Sequence, residues 1–428
     1  GVTGKYTPVT DKVTANGAAG AMQIRRVNAK HPATTDAAAL ELNYYWLVNS
    51  TGFSGLTLTH TYNYLNADVN GTETNYVTGR FLSNAWTPLF GIGATVNSAA
   101  NTMTLTGVNF INGAYTAGES SEFNVITDLY SRDATLGGNW SDVNSWSATG
   151  HAGLPAGVIP TFQNVFIATG HTITADNNFL ASSNLDIDGT LDLVSFIGHN
   201  FGIVTGNGRL RITTTPSNNF VFPAGNYSSF IAPSGGTVEY YGSTNGNLLT
   251  QQYYNNLEFT GNSIKSLTNV DLGINGNLSI LGGSVNNAFN RDIDIKGNWI
   301  NNVSSLAFVP GTGTVRFLGV NQNIGGSATT NFYNLTSAGT GTKTLGISQN
   351  INNNLLISLN STLDVSASNF AIDLKGSYTG NGVFNAQQGT VTLNGIAQQQ
   401  IGGTGNTSFY NLTQQQRQDK KLVAKCRL

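Results

Sequence analysis

Thiols are all but missing from this chain: its one cysteine, Cys426, stands among the last three of 428 residues. Residues 1 to 425 can therefore build neither a disulfide framework nor a cysteine metal site, and stability must come from packing and backbone pairing. Charge is scarce too, at 10% of residues, against about a quarter in ordinary soluble domains. The formal net charge is −2, and the few Lys and Arg are scattered. They form no basic stripe for nucleic acid and no basic amphipathic helix for a membrane surface. No apolar run is long enough for a signal peptide or a transmembrane helix, so membrane insertion is not expected. Phosphate-cradling glycine loops, nucleophile elbows and paired-histidine metal motifs are also lacking. Because the first residue is Gly1 rather than Met, a mature protein or part of a longer chain is expected.

What remains is rich in glycine (51 residues), with abundant Asn, Thr and Ser. Regularly placed Leu, Ile, Val and Phe supply the buried face that a disordered polar tract lacks. The length calls for two or more folding units. In the second half a cassette recurs: Thr237-Val238, Thr314-Val315 and Thr390-Val391 open copies 77 and 76 residues apart. Leu257, Leu335 and Leu412, in the motifs YYNNL, FYNLT and FYNLT, follow at 78 and 77. A fixed period means stacked structural units, here short strands between Gly and Asn turns. At about 20 to 29 residues per coil, a cassette spans roughly three coils of a right-handed parallel β-helix. Alternation sets the inside: Ile293 and Ile295 face the axis while Asp292, Asp294 and Lys296 face water, and Ile372, Asp373, Leu374 and Lys375 repeat the scheme. Asn352-Asn353-Asn354 is expected to stack as amide ladders from coil to coil.

The N-terminal half reads differently. Residues 1–39 form an entry segment without assigned order. Within 40–128, Leu56, Leu58, His60, Tyr62 and Tyr64 share one side of a strand, with Thr57, Thr59 and Thr61 on the other. Asp68, Asn70, Gly71 and Glu73 then read as a hairpin turn leading to Tyr76–Phe81. Trp86, Phe90, Met103–Val108 and Phe123–Ile126 complete seven or eight strands, which suits a β-sandwich. Residues 129–182 read as a linker and cap, in which Trp140 and Trp146 cover the first rung of the β-helix, which runs over 183–413. After Thr413 the composition flips to QQQRQDKKLVAKCRL, an atypical basic tail over 414–428. A truncated or shifted reading frame near Gln414 is expected, with a genuine basic terminus as the alternative.

The GTV openings, the FYNLT strands and the IDIKGNW-type strand resemble repeats of large secreted surface proteins of Bacteroidota. That resemblance, over roughly 130–413, implies adhesin-like β-helical stalks exported through a C-terminal sorting domain. The segment 140–193, with Trp146, Pro155, Gly170-His171 and Leu185–Leu191, also resembles a G8-type module, which implies an extracellular, polysaccharide-related setting.

Parallel β-helices host polysaccharide lyases and hydrolases, so acidic clusters count as catalytic candidates. Asp186 and Asp188, two apart on a strand, would leave one face about 7 Å from each other, a spacing open to glycoside chemistry; Asp192 follows. His171 and His199 could join them as acid or base, or serve as hydrogen-bonded structural residues. Tyr241, Tyr253 and Trp299 are candidates for stacking on sugar rings, although one tyrosine of each Tyr-Tyr pair must point inward. Asp68, Asn70 and Glu73 offer oxygens for Ca2+ without the full ligand run of a calcium loop; no other cofactor is expected. The leading expectation is a non-catalytic extracellular or cell-surface stalk or binding scaffold, with glycans or host and environmental surfaces as partners. The alternative is a β-helical carbohydrate-active enzyme or carbohydrate-binding protein.

Overall fold

The computed structural model of the protein describes residues 6–34, 39–82, 85–89, 93–109, 112–123, 126–161, 163–249, 251–415 and 423–424. Phe90, Cys426 and most of the basic tail lie outside them. The chain divides into two compact units, residues 1–127 and 128–428. It is all-β, with a parallel solenoid of about 12 turns in the C-terminal region and antiparallel sheets at the N-terminus.

The first unit is a sandwich of two antiparallel sheets. One runs in the order Val9–Ala15, Thr57–Asn63, Thr102–Val108, Ala94–Asn97; the other runs Ala21–Val27, Tyr45–Thr51, Gly113–Glu119, Tyr76–Leu82, Ala85–Pro88. Leu58, His60 and Tyr62 are fully buried, as their alternation requires, and the Tyr62 ring lies 5.1 Å from that of Trp46 on the facing sheet. The segment left without assigned order contains two strands, and one expectation fails. Val9–Ala15 and Ala21–Val27, inside the entry segment, are edge strands; Asp11 and Arg26 interrupt the inward row formed by Val9, Met22 and Ile24, which an edge strand tolerates because it needs little core. There is no hairpin through Gly71. Thr57–Asn63 and Tyr76–Leu82 belong to different sheets, and the chain crosses between them through short 3-10 turns at Asn66–Asp68 and Glu73–Asn75.

The second unit winds with two strands per coil at its start and three from Asn219–Phe220 onward, and its strands stack in parallel from coil to coil, except that Trp146–Ser147 pairs antiparallel with Asp128–Ser131. The first face is one twelve-stranded sheet, from Gly137–Asn139 to Val383–Asn385. The second face consists of two five-stranded sheets, and the third of a six-stranded followed by a nine-stranded sheet. Coils begin at Asp128–Ser131, so the stretch expected to be a linker is already solenoid. Trp140 and Trp146 are buried at its start, their rings 5.4 Å apart, and Trp140 reaches Phe201 at 5.7 Å. Inside the first face one column runs Leu191, Leu210, Val238, Leu257, Leu278, Trp299, Ile324, Leu345, each in register with the next and none more than 1% exposed. Burying each of these side chains contributes about 1.5–3 kcal/mol, so the column is a continuous spine.

The cassette is not a whole number of coils. Thr314–Phe317 is the eleventh strand after Thr237–Tyr240, and Thr390–Leu393 the eleventh after that. At three strands per coil, each cassette makes three and two-thirds coils rather than three. The opening strands therefore lie on the first, third and second faces in turn, and the strands holding Leu257, Leu335 and Leu412 follow the same rotation. A cassette advances about 18 Å at a strand spacing of about 4.8 Å.

Side chains at the corners tie coil to coil. The side-chain oxygen of Asn256 accepts the backbone N–H of Asn277 (2.9 Å), Asn277 that of Asn298 (2.7 Å), and Asn298 that of Asn323 (2.7 Å). The expected ladder at Asn352-Asn353-Asn354 exists, with Asn353 donating to Asn334 at 3.0 Å and Asn354 accepting from Ser377 at 2.9 Å. Sequence reasoning passed over two glutamines 77 residues apart. Gln322 Nε2 donates to the carbonyls of Ile295 (3.1 Å) and Gly297, and its Oε1 accepts from Gly319 N–H (2.7 Å). Gln399 repeats this with Leu374 (2.9 Å), Gly376 (2.7 Å) and Gly395 (2.8 Å). Beyond Thr413 the pattern does not simply stop: Lys420-Lys421-Leu422 keeps the Lys-x-Leu spacing of Lys265-Ser266-Leu267 and Lys343-Thr344-Leu345, and Val423–Ala424 pairs with Gln400–Ile401 on the third face.

Replacing Gln322 by Leu removes a donor and an acceptor but little volume, stranding buried backbone groups at about 1–3 kcal/mol each. Faster amide exchange at Gly319, with a lower unfolding midpoint, is the expected outcome; unchanged exchange there would show that the bridge is dispensable.

Candidate functional site

The densest cluster of ionisable side chains sits on the outer surface of the first face. Register places Asp192, Arg211, Glu239 and Glu258 one above another on four successive coils. Arg211 donates to Asp192 (2.6 Å) and to Glu239 (3.0 Å), while Arg209 donates to Glu239 (3.0 Å) and to Glu258. Thr260 Oγ1 adds a bond to Glu239 at 2.6 Å. Burial pushes the Glu239 carboxyl up, but Thr260, Arg211 and Arg209 outweigh it and hold it below the usual carboxylate range. Tyr241 donates its hydroxyl to Asp192 at 2.7 Å, and its ring lies 4.1 Å from the Arg211 guanidinium carbon. The row is an ion-pair ladder whose charges bond to each other, which leaves no free general acid or base within it.

Two inward lysines occupy equivalent cassette positions, Lys265 next to this ladder and Lys343 several coils on. Lys265 is fully buried and donates to the carbonyls of Thr260 and Ser263 (3.2 Å); Lys343, also fully buried, donates to Thr340 O at 2.8 Å. Each amine thus satisfies corner carbonyls from within the coil. Burial lowers the Lys265 amine to about 8, with Glu239 opposing.

The catalytic candidates are dispersed. Asp186 is on the third face, Asp188 lies in the turn after that strand, and Asp192 is on the first face. Burial and then Asp188 push the Asp186 carboxyl up against a hydrogen bond from Thr205, whereas exposed Asp188 accepts from Asn207 N–H at 3.3 Å. His171 joins neither. Its Nδ1 bonds Ser131 Oγ at 2.7 Å and its Nε2 lies 3.2 Å from Asp133. These residue types compose a nucleophilic triad, and their separation in sequence hid the cluster. Yet Ser131 is wholly buried and its Oγ also accepts from Ala168 N–H at 3.0 Å, so no substrate can reach it. His199 is buried as well, takes the Leu180 N–H on Nδ1 at 3.2 Å, and is lowered by that burial.

Of the aromatic candidates, Trp299 is the clearest correction. It is 0% exposed, donates to Thr330 Oγ1 at 3.0 Å and packs on Phe308 and Phe332, because its strand position points to the axis. Tyr241 is half-buried beside Arg211. Tyr253 is 54% exposed, and its ring lies over Gly273 so closely that a Cβ there would stand 2.7 Å from it. Its partner Tyr254 points inward, with its hydroxyl 2.9 Å from that of Tyr240.

In the sandwich, the three residues expected to supply calcium oxygens differ in their surroundings. Asp68 is buried at 3% exposure, Asn70 donates to Glu41 O and Asn43 Oδ1 at 3.0 Å each, and Glu73 accepts from Tyr64 at 2.6 Å. Among the described residues no three His, Cys, Asp or Glu side chains converge to hold a metal ion. A cleft of about 330 Å³ near Phe53 and Leu82 has its polar wall satisfied: Arg80 donates twice to Asn112 O (2.8 and 2.6 Å), and Asn112 Oδ1 accepts from Ser50. No helix among the described residues is long and apolar enough to cross a membrane. No protein-family model, no curated protein and no solved structure matches the chain.

Lys265 sets a pH signature. Its folded-state pKa lies below its ordinary value of 10.5, so the unfolded chain binds more protons between about 8 and 10.5. Its destabilising effect is full below about 8 and is relieved as pH rises to 10.5. Relative to Lys265→Met, the wild type should gain stability across that window in denaturant titrations; parallel curves would refute the assignment.

Proposed function

We propose that this protein is a non-catalytic extracellular or cell-surface scaffold, with an adhesin-like solenoid serving as a stalk or binding surface. The observation that carries this reading is the continuity of the solenoid: its apolar spine runs unbroken from coil to coil, while the outward charges of its densest cluster are spent on one another. Such a unit lengthens by repetition without refolding its neighbours. The reading requires no cofactor, and its proposed partners are extracellular glycans or host and environmental surfaces, in keeping with the resemblance to Bacteroidota surface repeats.

A second reading, a carbohydrate-active or carbohydrate-binding protein, draws on the raised Asp186 carboxyl beside Asp188 and on the exposed Tyr253 ring. Incubation with a panel of polysaccharides separates the two. The scaffold reading expects retention on some immobilised glycans or surfaces with no new reducing ends or unsaturated products. Turnover abolished by Asp186→Ala or Asp188→Ala would sink it, and retention lost in Tyr253→Ala would place the sugar on the third face.

A further inference from the structure

Two acidic side chains are buried together in the first unit. Glu41 is 0% exposed and Glu122 1%, although carboxylates are seldom fully buried unless paired. Backbone pairing brings them together: Glu41 bridges Gly118 in antiparallel register, Leu40 O accepts the Glu119 N–H at 2.9 Å, and the 3-10 turn Ser120–Glu122 follows at once. The Glu122 carboxyl comes within hydrogen-bonding reach of the Glu41 carboxyl. Segment 28–34 approaches from the other side, with the Thr34 hydroxyl donating to Glu41 Oε1 at 3.0 Å and the Lys30 ammonium 3.5 Å from the same oxygen. Glu41 Oε2 and Glu122 Oε2 are each buried without a hydrogen-bond partner. Ionised, the two carboxyls would leave one negative charge that Lys30 does not balance and two oxygens unpaired, a costly arrangement for buried groups. One proton removes both defects. Carried on Glu41 Oε2, it cancels the surplus charge, and donated to Glu122 Oε2 it gives both oxygens a partner in a single bond. Burial pushes the Glu41 carboxyl up, and Glu122 adds to this, against the Thr34 hydroxyl and Lys30.

We propose that Glu41 and Glu122 share one proton and act as an acid latch on segment 28–34, closed in acid and loosened as the pH rises. That segment also carries His31, whose ring lies 4.7, 4.5 and 4.8 Å from those of Tyr45, Phe81 and Trp86, and Ala33, whose carbonyl accepts the Trp86 indole N–H at 2.8 Å. Loosening it uncovers these rings, so the latch makes their exposure depend on pH. The other titratable groups around the pair do not supply this response. Tyr76 is pushed up to about 12 by burial, Glu119 accepts the Thr72 N–H at 2.7 Å, and His31, lowered from 6.5 by burial, is uncharged at and above that value. Because the folded value of Glu41 lies above its ordinary 4.5, the contribution of the pair is full below 4.5 and is lost as the pH rises through the folded value.

Amide hydrogen exchange of the intact protein tests this at Thr34, whose N–H donates to His31 O at 3.0 Å. Protection there, corrected for intrinsic exchange, should fall as the pH is raised from 4.5. Glu122→Gln, whose amide can donate to an ionised Glu41, should flatten that fall. Glu41→Gln carries the same expectation from the other partner, so either variant serves if the other fails to fold. A wild-type profile that stays level overturns the proposal, as does a variant profile that falls in parallel with the wild type. Protection restored at high pH by added Ca2+, and removed again by a chelator, overturns it in favour of a metal ion bridging the two carboxylates.

Discussion

Parallel pairing at a fixed strand spacing governs everything else in the second unit. Once a coil is laid down, the backbone hydrogen bonds of the next dictate where its side chains fall, within a fraction of an ångström and on the same face. An inward Leu must be followed by another inward apolar side chain or leave a void, which is why the spine from Leu191 to Leu345 is unbroken and tolerates Trp299 only with a hydroxyl within reach of its indole N–H. The same rule applies to polar groups. An Asn at a corner that accepts the N–H of the coil above makes an Asn one coil on equally useful, and so ladders propagate. Gln322 and Gln399, and Lys265 and Lys343, recur instead once per cassette, each satisfying backbone carbonyls that are costly to bury alone.

Alternation was the part of this architecture most legible in the sequence. Ile293 and Ile295 inside with Asp294 outside, and Leu56 to Tyr64 on one side of a strand, follow from a period of two and need no tertiary information. The coil count did not follow, because successive coils pair residues 19 apart at Thr237 and Asn256 but 25 apart at Trp299 and Ile324; a repeat measured in residues is blind to loops of unequal length. Asn-Gly chemistry near residue 70 correctly marked a change of direction but could not say that the two flanking strands join different sheets. Trp299 looked available for stacking because Trp is large and polar at one edge, whereas its strand phase already pointed it inward. Ser131 and Asp133, the partners of His171, escaped notice for the opposite reason: their proximity to it is made by stacking, not by spacing.

Chemistry on this scaffold is constrained by the same geometry. Charged residues are few, and where they gather, as at Arg209, Arg211, Glu239 and Glu258, stacking brings opposite charges within bonding distance. A surface built this way bonds its acids and bases to one another. Its variability lies at positions such as Glu239, Arg316 and Thr392, which share a place in the cassette yet differ in charge.

The mismatch between eleven strands and three faces works like a gear. Each cassette gained or lost by recombination between copies would lengthen or shorten the rod by about 18 Å and would also turn everything beyond the junction by a third of a revolution. Cassette number therefore sets aim as well as reach. Lineages differing by one copy would direct the far end of the rod along different bearings, and only a change of three copies would restore the original heading.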